Sequence, residues 1–277
     1  SGHHYDNYFE PRGKLLITYG KPISIRPYYE LYRQNQQKAL RKIAEDMMDE
    51  VRKHMLDITD LEYYAEYDFI RNTYGREFSH KMGLRFDDME DRLKSDRKLV
   101  ASLQKAHDQE EPLFYQVMES ANQYKADLKQ YKVRDWVVER NASVLSMLGK
   151  SLLLIVGFPL FILGFALNAP MYFAPYPIKK KVTDEMLHAS FVLGLTAVVT
   201  FPIWSLCCIL MVGILSHSFW FGLSMLICIP VSGIITWEYR THFRKLMGQI
   251  RFRLLKRAKR KQLKEQHETL YELLRGL

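Results

Sequence analysis

The sequence is poor in cysteine. Cys207, Cys208 and Cys228 are the only three in 277 residues, which excludes a disulfide-dense secreted module. All three lie in an uncharged stretch with no His or acidic residue at ligand spacing. They read as small apolar residues of a helix rather than metal ligands. Fourteen glycines and ten prolines are too few for a collagen-like chain, and 48% hydrophobic residues are too many for a disordered one. No secretory signal peptide opens the chain. The GxGxxG, P-loop, HExxH and CxxC patterns are all missing, which removes the commonest nucleotide, metalloprotease and redox signatures.

The most informative lack is one of charge. Ser151–Ile178 (28 residues) and Met186–Trp237 (52 residues) contain no Asp, Glu, Lys or Arg. The net charge of +9 is segregated accordingly. Ser1–Gly149 is almost neutral, with 24 Lys/Arg against 25 Asp/Glu, whereas Glu238–Leu277 holds 12 Lys/Arg against 4 Glu. A short island of Lys179, Lys180, Lys181, Asp184 and Glu185 separates the two uncharged runs. Positive charge beside apolar sequence marks an integral membrane protein with a polar domain in front.

The front part alternates turn and helix signals. Lys14–Tyr19 is rich in β-formers between Gly13 and Gly20, and Ile23–Ile25 is a second short extended piece. Two such strands do not fold alone, so they read as the edge of a larger sheet. Pro27 opens a long helix expected from Tyr28 to about Leu56, with Leu40, Ile43, Met47, Val51 and Met55 on one face. Thr59-Asp60-Leu61-Glu62 has the capping-box pattern, so a helix should start there, with Gly75 as its stop. A helical hairpin follows. Phe86, Met89, Leu93, Val100 and Leu103 mark its first arm. Glu111-Pro112 restarts the second, with Phe114, Val117, Met118, Ala121, Tyr124, Leu128 and Tyr131 on one face.

The first uncharged run contains Gly157, Pro159, Gly164, Pro170, Pro175 and Pro177, a density that favours a broken or re-entrant element. The second run suits two spanning helices turning near Gly213–Ser218, with Trp220 and Trp237 as interfacial aromatics. A re-entrant first run puts the front domain, the lysine island and the basic tail on one side, which the positive-inside rule makes the cytoplasm. In the tail, Phe243, Leu246, Ile250 and Leu254 form an apolar stripe. Arg244, Lys245, Arg251, Arg253, Lys256 and Arg257 are the candidate contacts to lipid headgroups, so membrane lipids are the expected partner. Basic runs also bind nucleic acid, but abutting a span argues against it here.

Catalytic arrangements are scarce. His3, His4 and Asp6 lie together, but no nucleophile accompanies them. His188 and His217 flank apolar segments and read as interfacial polar ends. Asp87-Asp88 and Glu110-Glu111 are adjacent pairs that do not share a helix face and read as solvated charge. No catalytic, cofactor or metal residue is assigned.

The segment from Tyr8 to Ile23, YFEPRGKLLITYGKPI, resembles the strand pair that closes the domain of the phospholipid/glycerol acyltransferases, with its G-x-P-I ending at Gly20-Lys21-Pro22-Ile23. The Tyr124–Leu128 helix and the Pro-broken apolar stretch before Lys179 also resemble the larger membrane-bound members. The resemblance implies acyl transfer to glycerol-3-phosphate or lysophosphatidic acid, with acyl-CoA or acyl carrier protein as donor to the parent enzyme. The family's H-x-x-x-x-D block is not matched, because Tyr8 and Phe9 stand where His3 and His4 would require Asp, and its E-G-T-R block is absent. The chain also starts at Ser1 rather than Met. The expectation is a C-terminal, itself inactive portion of such an enzyme; the rival is a non-enzymatic membrane-anchored scaffold or lipid-binding protein. The expected fold is mainly α: residual strands from the end of an α/β acyltransferase domain (1–58), a helical accessory region (59–149), a membrane region (150–238) and a basic amphipathic cytoplasmic tail (239–277).

Overall fold

The structure is a computed structural model that describes residues 2–5, 15–140, 143–174, 177 and 194–276. It is mainly α, as expected, and carries three helices long and apolar enough to cross a membrane. The chain divides into two compact units. One comprises Ser1–Tyr131 together with Arg257–Leu277; the other is the inserted segment Lys132–Lys256.

The first unit begins with a two-stranded antiparallel sheet, β1 (Gly2–Tyr5) against β2 (Leu15–Thr18), with His3 opposite Ile17 and His4 opposite Leu16. Asp6 and the whole YFEPRGK portion (8–14) of the segment from Tyr8 to Ile23 lie outside the described residues. The long helix expected from Tyr28 is two helices, α1 (Tyr29–Gln34) and α2 (Gln36–Arg52). Asn35 is extended between them and its side chain accepts from the Lys38 N–H, so a local N-cap wins over a continuous apolar period. Ala39 is the only buried residue of α2.

Three helices and the C-terminal one make the bundle: α3 (Tyr64–Lys81), α4 (Met89–Asp108), α5 (Pro112–Tyr131) and α10 (Arg257–Gly276). The helix expected at Thr59 starts at Tyr64 instead. Asp60 accepts from the N–H groups of Glu62 and Tyr63 and so holds a turn before the helix, while Thr59 accepts from Gln104. Gly75 does not stop α3. It is buried in mid-helix, where an added Cβ would lie 3.4 Å from Asp96 Oδ1, so glycine admits the close approach of α4. The stop is Gly83, at φ +70°, with the Leu84 N–H bonded back to the Ser79 carbonyl. Pro112 begins α5 as its first residue, where its missing N–H costs nothing.

The bundle core is aromatic. Tyr67, Tyr74, Phe114 and Tyr124 are fully buried, and Tyr74 meets Tyr271 of α10 edge to face at 5.1 Å. Leu263, Leu270, Tyr271 and Leu274 of α10 are buried in this unit, where α10 packs on α5. The Tyr271 hydroxyl donates to the Thr73 carbonyl, Arg275 pairs with Glu77 at 2.7 Å, and Gln262 and Gln266 both donate to Asp127. The stretch 239–277 is therefore not one amphipathic tail. Its second half is a bundle helix, because its leucines recur at a spacing that α5 can cover.

Within the same core Asp96 is fully buried and accepts from Arg71 at 3.1 Å, and Arg71 also holds Asp68 at 2.6 Å. Burial pushes the Asp96 carboxyl above its ordinary range, against the pull of the neighbouring guanidiniums.

The inserted unit contains α6 (Asp135–Arg140), α7 (Val144–Phe173), α8 (Phe201–Leu215) and α9 (Phe219–Leu254), with a π-helical turn at Thr196–Thr200 leading into α8. The first apolar run, expected to break, is an unbroken 30-residue helix with Pro159 and Pro170 inside it. Away from water an exposed backbone group costs several kcal/mol, so the backbone stays helical around the one bond that each proline removes. The lysine island and His188 lie outside the described residues.

Helices α7 and α9 are antiparallel. Met147 and Leu154 cluster with Leu246, the Tyr239 hydroxyl donates to the Leu154 carbonyl at 3.0 Å, and Asn168 donates to Ser232 at 3.0 Å. An added Cβ on Gly164 would lie 2.8 Å from the Ser232 carbonyl and nearer still to the Thr236 hydroxyl. Small residues thus bring two backbones together, as in membrane helix pairs. Helices α8 and α9 form a tight hairpin in which Gly213 and Gly222 approach closely, and Trp204 donates to the Leu167 carbonyl at 2.7 Å. These contacts make α7 and α8 run in the same direction.

Two outcomes follow from the packing. Asp96→Ala leaves the buried Arg71 with only the half-exposed Asp68 and empties a packed site, and should lower the stability of the bundle by about 2 kcal/mol, read by denaturant unfolding in detergent. Gly164→Val should cost about 1–3 kcal/mol by forcing α7 from α9, read as a lower melting temperature with unchanged helix content. A third concerns pH. Asp88 caps α4 by accepting from Asp91 N–H and Glu90 N–H, and these bonds hold its carboxyl below the ordinary range. The folded-state value is the lower one, so this contribution is present at neutral pH and is lost as pH falls through the carboxylate range. Asp88→Asn keeps the cap without the charge, and its acid unfolding profile should be shallower than the wild type's.

Candidate membrane interface

Helix α9 runs from one solvent regime into another. Phe219–Trp237 carries no charge, and the helix then continues without a break through Arg240, Arg244, Lys245, Arg251 and Arg253. Its 36 residues give a length of about 54 Å, against about 30 Å of bilayer hydrocarbon. The helix is therefore long enough to cross and still project its basic end into the headgroup layer. No glycine or proline interrupts that end except Gly248, where an added Cβ would lie 3.7 Å from Val137 Cγ2.

Of the residues expected to meet lipid headgroups, Arg244, Lys245, Arg251 and Arg253 sit together on the last turns of α9, all exposed. Lys256 is exposed in the connection that follows. Arg257 is brought elsewhere: it is the first residue of α10, in the bundle unit. Among the described residues, Arg244, Lys245, Arg251 and Lys256 have no carboxylate within ion-pairing distance, so their charge faces outward. Arg253 contacts the Met147 sulfur at 3.7 Å. Sequence reasoning missed Arg240, one turn before Arg244 on the same face and also exposed; the four-residue spacing was the available signal. It also took Phe243, Leu246, Ile250 and Leu254 as one free stripe. Leu246 and Ile250 instead pack on α7, and Phe243 and Leu254 remain exposed.

The apolar part has the inverse design of a soluble core. Leu152, Leu153 and Ile155 of α7 and Trp220 and Phe221 of α9 are more than 60% exposed, while polar Asn168, Ser205 and Thr236 are buried. Asn168 is tied to the Gly164 carbonyl and the Ser232 hydroxyl, and Thr236 donates to the Ser232 carbonyl. Polar groups inside and hydrocarbon outside is the arrangement suited to a lipid solvent. Cys207 and Cys228 are exposed on this apolar surface and Cys208 is buried.

The structure brings together one His–Asp pair that the sequence did not suggest. His107 Nδ1 lies 2.8 Å from Asp60 Oδ2, and the imidazole stacks on Phe114 at 4.6 Å. A carboxylate can orient an imidazole as a base. Here Asp60 also caps the turn before α3, and the pair ties that turn to α4. His3 and His4 are on β1, and His217 forms the α8–α9 turn at φ 49°. Among the described residues no group of three His, Cys, Asp or Glu side chains is placed to hold a metal ion.

Replacing Arg244, Lys245 and Arg251 by Gln should reduce the stabilisation conferred by anionic lipid by about 1 kcal/mol per cation removed. Melting in nanodiscs with and without phosphatidylglycerol measures it; equal stabilisation of wild type and variant would remove these residues from the interface. No protein-family model, no curated protein and no solved structure matches the chain.

Proposed function

We propose that this chain is the membrane-anchoring, non-catalytic C-terminal part of a glycerolipid acyltransferase, with its helical bundle and the basic end of α9 on the cytoplasmic face. The observation that carries the anchoring is the exposed apolar surface of three helices followed directly on α9 by Arg244, Lys245 and Arg251, which have no carboxylate within ion-pairing distance among the described residues. The acyl-transfer reading rests on the resemblance of Tyr8–Ile23, and Leu15–Thr18 within it is a β-strand. Acyl donors and lysolipid acceptors partition at the bilayer, so a catalytic domain held there meets both.

Connectivity supports one side for the bundle and the basic end. The chain leaves the bundle unit at Tyr131 and returns to it at Arg257, so the insertion crosses a bilayer an even number of times. The α8–α9 hairpin supplies two of these crossings. Orientation then follows the cations, which favour the cytoplasm.

The rival reading is a non-enzymatic scaffold or lipid-binding protein. The uncovered apolar face of α2 favours it, where Leu40, Met47 and Met48 are half exposed or more.

Single cysteines at Ser216 and Lys256, in a chain lacking its three native cysteines, test the topology. In sealed oriented vesicles an impermeant maleimide should reach one of them only from each side; labelling of both from the same side would refute the arrangement. The functional reading predicts no acyl-CoA-dependent acylation of glycerol-3-phosphate by this chain. It also predicts an H-x-x-x-x-D block and an E-G-T-R block encoded upstream in frame. Turnover by the chain, or an upstream reading frame without those blocks, would sink it.

A further inference from the structure

A groove on the bundle unit has a composition unlike the rest of its surface. It lies between the end of α3 and the middle of α4, with a volume of about 530 Å³. Phe78, Met82 and Ala101 form an apolar floor, Ser102 adds a hydroxyl, and Lys81, Lys98 and Lys105 stand around it. No carboxylate lines it. This is unusual for a unit whose Ser1–Tyr131 part is nearly neutral and whose other surface cations are commonly paired. Lys94 holds Glu90 at 2.7 Å, Arg275 holds Glu77 at 2.7 Å, and Lys42 holds Asp46 at 2.9 Å. Lys81, Lys98 and Lys105 are exposed and have no carboxylate within ion-pairing distance among the described residues.

Local geometry explains the clustering. Lys98, Ala101, Ser102 and Lys105 recur at three and four residues and so share one stripe of α4. Phe78 and Met82 are one turn apart at the end of α3, where the turn at Gly83 ends the helix and leaves the Phe78 side chain uncovered by a further turn. Three like charges around an apolar floor raise the local potential and gain nothing from one another. They are complementary to an occupant with negative charge at one end and hydrocarbon at the other.

We infer that the α3–α4 groove binds an anionic phospholipid, its phosphate among Lys81, Lys98 and Lys105 and the start of an acyl chain on Phe78, Met82 and Ala101. The apolar floor commits the site to a lipid, since free phosphate would leave the floor in water. Lipid is the chemistry at hand because the same chain carries helices long and apolar enough to cross a bilayer. The inference rests on the chain being inserted in a bilayer and is independent of acyl transfer.

The test is lysine footprinting by acetylation and mass spectrometry on the full chain in nanodiscs. In discs containing phosphatidylglycerol, Lys81, Lys98 and Lys105 should react at least fivefold more slowly than in pure phosphatidylcholine, while Lys129 on α5 is unchanged. Inorganic phosphate added to phosphatidylcholine discs should give no protection. In the Lys98→Gln/Lys105→Gln variant, protection of Lys81 should disappear; in the Arg244→Gln/Lys245→Gln/Arg251→Gln variant it should persist. Equal reactivity in the two lipids would overturn the proposal. So would protection by phosphate alone, which makes the site a bare anion site, or protection in lipid-free detergent that grows with protein concentration, which makes it a contact between copies. Far-UV circular dichroism of the variants distinguishes loss of the site from loss of the fold.

Discussion

The packing of α10 on α5 is the interaction on which the rest of the molecule depends. It makes the first and last parts of the chain one folded body, and so turns 125 intervening residues into an insertion. An insertion whose two ends belong to one body cannot cross a bilayer an odd number of times. Among the described residues three helices are apolar enough to span, and two of them, α8 and α9, form a hairpin, so the constraint bears on α7. The contact that closes the body is modest chemistry: four apolar side chains of α10, a Tyr271 hydroxyl on the Thr73 carbonyl, and Lys259 over the Tyr131 ring at 4.7 Å. Its consequence is topological rather than energetic.

The two units solve opposite solvation problems with the same residue types. In the bundle, tyrosine and phenylalanine rings go inside and charge goes outside, with one buried carboxylate held by Arg71. In the insertion, phenylalanine and tryptophan face outward, and asparagine, serine and threonine are hidden in the seam between α7 and α9. Glycines at 164 and 233 let those polar groups reach backbone and side-chain partners. A single helix, α9, passes through both regimes. Its cations begin within three residues of Trp237, where its apolar run ends.

Much of this was legible along the chain, wherever one residue type answers to one local rule. Pro112 marked a helix start because a proline at that position loses nothing. The apolar runs marked membrane helices because hydrocarbon admits no unpaired charge. The basic residues after Trp237 marked the end of the apolar run for the same reason. The failures share a different cause. Gly75 and Pro159 were taken as breaks on local propensity, yet Gly75 is used for close packing against Asp96 and Pro159 is carried by a helix with no water to compete for its backbone. Asn35 was passed over inside an apolar period, yet its side chain caps the Lys38 N–H and divides the helix. The last 21 residues were read as a continuation of the tail because their basic character dominates. Leucines 263, 270 and 274 carried the contrary signal, but nothing in them names α5 as the partner.

Composition and period alone determined that this is a largely helical membrane protein, because the exclusion of charge from hydrocarbon and the 3.6-residue repeat act on the chain directly. Only the tertiary structure decided that residues 257–276 belong with the bundle, that α7 and α8 run the same way, and that Lys81, Lys98 and Lys105 surround one groove. Each of these depends on pairing between segments distant in sequence. Pairing is chosen by the fit of whole faces, which no local stretch encodes.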